Sequence, residues 1–314
     1  MKPLNISVYA CILTLLMLFL FWDSGFDFQY VIPNRLIRLG AIIVGGVCVA
    51  FAAICFQTIT ENRIITPAVM GYEAIYLLFQ SSLILVLGAA SQIVVSKNVN
   101  FFLSTLVMIT YSFILQHWLL NTTRKQVFHL LLVGLVVTIV LSSFTQLIQF
   151  SVSPGEFAIF QSYSEATFNR VDITQLTIAA GLTILVCIAL SQQHKYFDIL
   201  SLGREQAISL GIDVQHFLKL NLALIAVLVA ISTSLLGPTA FMGVFVANSA
   251  YSCAKKARHL RILFMGAGIA ITSFLVAQLL VEHIFNYRIT VSILVNLICA
   301  IYFLVIIIRP RSSL

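Results

Sequence analysis

The chain is threaded by long stretches without a single charge, and these leave almost no room for a water-soluble domain. Residues 4–22, 39–60, 74–96, 98–123, 126–155, 173–194, 220–254, 262–281 and 289–308 contain no Asp, Glu, Lys or Arg. A helix crosses a bilayer with roughly 20 apolar residues, and every one of these runs is near or above that length. Backbone amides in hydrocarbon must be satisfied internally, so the spans are helices or a closed barrel. The runs are continuously apolar, without the two-residue alternation of a barrel strand, and this selects helices. The expected fold is an all-α polytopic membrane protein, with 1–314 as a single transmembrane domain. The first stretch, from Leu4, runs straight into Phe21-Trp22-Asp23 with no small-residue cleavage site, so it is expected to be a retained helix.

The run 220–254 is too long for one ordinary span, and Gly237-Pro238 divides it. The expected spans are 4–22, 38–57, 67–93, 101–120, 127–149, 174–192, 217–236, 240–253, 262–284 and 289–308, ten in all. With the N-terminus in the cytoplasm, 13 basic residues fall inside: Lys2, Arg63, Arg124, Lys125, Lys195, Arg204, Lys219, Lys255, Lys256, Arg258, Arg261, Arg309 and Arg311. Only five fall outside: Arg35, Arg38, Lys97, Arg170 and Arg288. That asymmetry requires an even number of helices and both termini inside. It also accounts for the net charge of +7 without a nucleic-acid partner.

Soluble chemistry finds little support. There is no GxxxxGK[ST] phosphate loop, and the cytoplasmic loops are too short for a nucleotide-binding domain, so ATP-driven transport would need a second chain. HExxH and GxSxG are absent, and no catalytic residue is expected. The six cysteines lie in or beside apolar spans with no CxxC pair, as small buried hydrophobes do. His117, His129, Glu73, Glu282 and His283 are expected near the interfaces, with no acid at the centre of a span, which counts against ion coupling. No His, Asp, Glu or Cys cluster is expected at mid-membrane depth, so neither a resident metal nor a cofactor is expected. Three classes stay open on these grounds: the permease of an ATP-driven importer, an ion-coupled carrier of a small solute, and a membrane-embedded enzyme or scaffold.

Two polar segments are longer than turns. Residues 150–173 are expected outside and 193–216 inside. The second has a helical apolar pattern, with Ile199, Leu202, Ala207, Leu210 and Ile212 among charges. Such an element serves as a docking surface for a soluble partner or lies at the lipid headgroups. Gly45 and Gly46, with Ala41, Ala50, Ala52 and Ala53, put small residues at helical spacing, a sign of close helix contact or of a pathway wall.

Three segments are more specific. Residues 32–71 carry Arg35, Arg38, Gly45, Gly46, Gln57, Asn62, Pro67, Met70 and Gly71 in order. This resembles the second-helix region of the iron-siderophore and vitamin B12 ABC importer permeases, the FecCD family. LSLGREQAISLGIDV, residues 200–214, is similar to that family's cytoplasmic coupling segment. LLGPTAFMGVFVANSAYS, residues 235–252, resembles its Gly-x-x-x-Phe-x-Gly stretch through Gly237, Phe241 and Gly243. Two motifs differ: Ala247-Asn248 and Ser252 replace a common Pro-His and Arg, and Ile289-Thr290-Val291-Ser292 replaces a Leu-Pro-x-Gly. The segment ENRIITPAVMGYEA looks like the subgroup importing ferric catecholate and mixed siderophores.

The resemblance implies a permease of the vitamin B12 importer type in the bacterial inner membrane. It implies a second permease subunit, a non-identical homologue, together with ATP-binding subunits, a periplasmic siderophore-binding protein and a ferric siderophore crossing as an intact chelate. It assigns ATPase coupling to Leu202, Gly203, Glu205, Ala207, Leu210 and Gly211. It assigns binding-protein docking to Arg35, Arg38 and Arg288, and the cytoplasmic gate to Asn62, Ile64, Val127 and Phe128. Gly45, Gly46 and Gln57 are left as pathway or packing positions. Glu73 either caps a helix N-terminus or repels an anionic chelate.

Overall fold

A computed structural model describes residues 13–22, 27–89, 91, 94, 96–122, 127–254 and 258–308. The beginning of the first expected span and the basic residues Lys2, Arg124, Lys125, Lys255, Lys256, Arg309 and Arg311 lie outside that set. The described chain is helical, and it contains no strand. The helices are α1 (13–21), α2 (Val31–Thr60), α3 (Tyr72–Leu87), α4 (Lys97–Thr122), α5 (Val127–Gln149), α6 (Pro154–Ser164) and α7 (Ile173–Gln192). They continue with α8 (His194–Leu200), α9 (Arg204–Ser209), α10 (Val214–Leu236), α11 (Ala240–Ala254), α12 (His259–Leu279) and α13 (Val291–Ile308). Six helices among the described residues are long and apolar enough to cross a membrane, and three shorter apolar ones accompany them.

The breaks follow local chemistry. Ser153 and Glu156 form a capping box that starts α6, and the two bonds from Ser153 hold the Glu156 carboxyl below the usual carboxylate range. Asp172 with Gln175 starts α7 in the same way, and Asp213 caps α10 by accepting from the His216 N–H. The α6 helix lies inside the polar segment 150–173, and its Ser-x-x-Glu signature is present in the sequence. Residues 193–216 hold two short helices, α8 and α9, and Gly203 (φ 118°) and Gly211 (φ 83°) take left-handed backbone at either end of α9.

α2 is the centre of the bundle. It packs against α7, α10, α11 and α12. A Cβ on Gly45 would run into the Leu236 side chain, and one on Gly46 would come to 3.2 Å from the Ile271 backbone nitrogen. These glycines are therefore packing positions, where the absent side chains let α10 and α12 approach. α10 also packs on α4, joining α2 to the group formed by α3, α4 and α5. Between α2 and α3 the chain turns through a 3-10 segment, Pro67–Met70, and α3 begins at Tyr72 instead of the expected residue 67. The carbonyls of that turn are satisfied inside the protein: Tyr111 donates to Met70 O at 2.8 Å and Thr138 to Val69 O at 3.2 Å. Irregular backbone is tolerated in a membrane protein on that condition.

A further correction concerns Arg35. It was expected to face outward, but α2 starts at Val31, seven residues earlier than expected, and this places Arg35 within the helix. The residue is 5% exposed. One guanidinium nitrogen bonds Glu282 at 2.8 Å, and another donates to the carbonyls of Phe19 and Trp22 at 3.0 and 2.6 Å. Arg35 thus ties the end of α1, α2 and the π-helical turn Leu280–Ile284 together. The flat, five-donor guanidinium suits that task, whereas an ammonium presents its three donors from a single nitrogen. Arg35→Ala is expected to cost about 3–5 kcal/mol by stranding Glu282 in the interior. Arg35→Lys should recover only part of this. Thermal unfolding of the purified protein checks both, and an unchanged melting temperature in Arg35→Ala would remove Arg35 from this role.

Candidate functional site

Two ends of the bundle and one interior position carry the polar groups. At the end expected to face the cytoplasm, the 61–66 loop follows α2. Glu61 ends that helix in left-handed backbone, φ 51°. Asn62 accepts from the Ile64 N–H at 2.9 Å, forming a tight turn that leaves Ile64 exposed. Gln57 and Asn248 both donate to the Arg63 carbonyl, at 2.8 and 2.9 Å. The Arg63 guanidinium lies 4.9 Å over the ring of Tyr251, whose hydroxyl meets Thr58 at 3.2 Å. Gln57 is thus a buried strut of the loop, and its Oε1 finds no partner among the described residues.

Sequence reasoning missed Asn248 and Tyr251 as supports of this loop. Asn248 stood out only as a departure from a motif, and nothing local in the chain links it to residue 63. The turn Pro67–Met70 packs against α5, where a Cβ on Gly134 would come to 3.0 Å from the Met70 Cα. The backbones of Val127 and Phe128 open α5, and their side chains lie outside the described residues.

The 193–213 segment lies at the same end. Leu202 and Leu210 are 62% and 64% exposed, with Ile208 also exposed. Glu205 and Gly211 are exposed and Gly203 is half-buried. Ala207 differs: it is fully buried, in the core cluster. The coupling position expected for Ala207 is therefore corrected. It anchors α9 from below, and a bulky residue there would dislodge the helix without probing its outer surface. A cavity of about 580 Å³ opens between this segment and the ends of α2, α11 and α12, lined by Gln57, Arg63, Asp198, Leu202, Tyr251 and His259 among others.

At the opposite end, Arg38 is partly exposed and donates to the Tyr287 hydroxyl at 3.2 Å. Asn286 and Tyr287 are both left-handed (φ 47° and 58°), and Arg288 follows them, exposed. Of the three arginines expected on this face, two are on it and Arg35 lies beneath.

Glu73 is the interior position. It sits in the first turn of α3, yet its carboxylate accepts from the Thr239 N–H, at the start of α11, at 2.9 Å. It caps a neighbouring helix. The small cavity it lines is bounded by Val49 and Ala52 of α2. Those residues lie roughly 12–16 Å along the helix from Thr60 at 1.5 Å per residue. Glu73 is therefore deep in the bundle, not at the interface where the sequence placed it, because the preceding turn folds back into the protein. Among the described residues no group of three or more His, Cys, Asp or Glu side chains is placed to hold a metal ion.

The whole arrangement matches known transport proteins. A solved metal-chelate type ABC transporter in an inward-facing conformation superposes with a TM-score of 0.85 at 17% identity, covering 98% of this chain and 99% of that one. The petrobactin import system permease YclO of Bacillus subtilis (strain 168) is 35% identical over 94% of both chains. The petrobactin import system permease FatC of Bacillus anthracis is 32% identical over 91% of this chain and 81% of its own. The model of the FecCD transport family matches residues 5–309, nearly the full length, and the chain belongs to that family.

Proposed function

We propose that this chain is the permease of an ATP-driven importer that carries a ferric siderophore across the bacterial plasma membrane. The observation that carries the reading is full-length similarity to petrobactin permeases, 35% and 32% identical. The exposed apolar pair Leu202 and Leu210 on a polar segment adds to it, since such residues on a water-facing loop suit a protein partner. In this reading the whole chain acts as one permease domain, with ten spans and both termini in the cytoplasm. The hydrolysis of ATP belongs to a separate subunit docked at Leu202, Gly203, Glu205, Leu210 and Gly211. A second, non-identical permease subunit completes the pathway, and the loop at Asn62 and Ile64, with Val127 and Phe128, closes it on the cytoplasmic side. A siderophore-binding protein docks outside at Arg38 and Arg288.

Three outcomes check these parts. Iron-55-labelled ferric petrobactin, the first probe to try, should enter cells only when the permease and its ATPase subunit are both present. Its uptake should be blocked by vanadate. Vanadate-insensitive uptake that collapses with an uncoupler would favour the ion-coupled carrier instead. Leu202→Asp with Leu210→Asp should abolish co-purification of the ATPase while leaving permease levels normal, since both side chains point to water. Persistence of the complex would place the docking surface elsewhere. Arg38→Glu with Arg288→Glu should weaken binding-protein docking at low salt. Exposed ion pairs are worth about 0–1 kcal/mol each, so the combined loss should be up to about thirtyfold in affinity and should vanish at high salt. Equal affinity at low salt would exclude the docking role.

A further inference from the structure

The short helix α8 is joined to the bundle by a contact that no local pattern announces. Its Phe197, fully buried, stacks on the His259 imidazole with ring centres 4.6 Å apart and planes 9° apart. The next residue, Asp198, accepts from the His259 backbone N–H at 2.7 Å. His259 is the first residue of α12, and that helix has no side-chain cap from its own Arg258. A helix N-terminus presents unpaired N–H groups and a partial positive charge, both of which a carboxylate satisfies. Asp198 therefore caps α12 from a segment 61 residues away.

The contact continues inward. His259 is 3% exposed, and its Nε2 faces the Cys55 sulfur of α2 at 3.9 Å. Two residues on, Gln57 holds the Arg63 carbonyl of the 61–66 loop. On its other side Phe197 meets the edge of Phe217 at the start of α10, 5.0 Å between centres. α8 packs on α2 and α12, whereas α9 packs on α8 and α10. The 580 Å³ cavity separates Leu202 and Gly203 from Gln57 and Tyr251, which leaves open space beside the turn into which it can move.

We propose that Phe197 and Asp198 form the lever through which an ATPase docked on Leu202 and Leu210 moves α12 and α2, and with them the 61–66 loop. Both are positioning residues. This rests on the importer reading above. A stacked ring and a charged cap resist sliding and stretching together, so a shift of α8 moves the start of α12 with it. A segment fastened only by apolar side chains would slip.

The test uses the full importer complex in proteoliposomes, with labelled ferric petrobactin as probe, and reads chelate imported per ATP hydrolysed. Asp198→Ala should leave the ATPase bound and hydrolysing but lower the ratio by about tenfold, within the range of one coupling contact. Asp198→Asn keeps an acceptor for the His259 N–H and should restore most of the ratio, while permease level and ATP hydrolysis stay equal in all three proteins, which a loss of general stability would not predict. If Asp198→Ala fails to accumulate, Phe197→Leu, which keeps the apolar volume and loses the stack, should lower the ratio in the same direction. An unchanged ratio in either variant overturns the lever and leaves the importer reading standing. Absence of ATP-dependent import by the unaltered complex overturns both.

Discussion

α2 is a helix of membrane length that lipid scarcely reaches: 83% of its most apolar window is buried inside the protein. Everything else is arranged around that fact. Apolar burial cannot drive helices together in lipid, where the tails are as apolar as Leu, so contact depends on how closely backbones approach. Gly45 and Gly46 permit that approach, with Leu236 and Ile271 pressed into the spaces where side chains would stand. Gly266 returns the contact from α12, where a Cβ would strike Ile54. α5, by contrast, buries only 17% of its window and faces outward.

Around this dense centre the few charged and polar side chains serve backbone ends. Arg35 serves the carbonyls at the end of α1, Asp198 the N-terminus of α12, Glu73 that of α11, and Gln57 and Asn248 the Arg63 carbonyl. Helix ends inside a protein leave four unpaired groups each, and the bilayer supplies no water to satisfy them. The chain answers with residues distant in sequence. Arg35, Asp198 and Glu73 each therefore fasten two elements at once.

That principle separates what was legible from what was not. The helices themselves were readable, because a charge-free run of 20 residues has few alternatives. The Gly237-Pro238 break was readable for the same local reason. Arg35 was not, since a lone arginine beside an apolar run looks like an interfacial anchor until Glu282 is found 247 residues away. Ala207 looked like part of an exposed amphipathic stripe, but splitting the segment at Gly203 rotated it inward. The depth of Glu73 depended on whether Pro67–Met70 crosses toward water or folds back, and that is settled by Tyr111 and Thr138 on other helices.

The bond from Thr239 to Glu73 has one more consequence. The start of a helix inside a membrane protein is a ready receptor for anions, with N–H groups and partial positive charge facing an enclosed space. Here the chain fills that seat with its own Glu73 side chain. A negatively charged molecule passing nearby finds the place taken, and has no reason to linger. What would be a trap for an anion is thereby an ordinary joint of the protein.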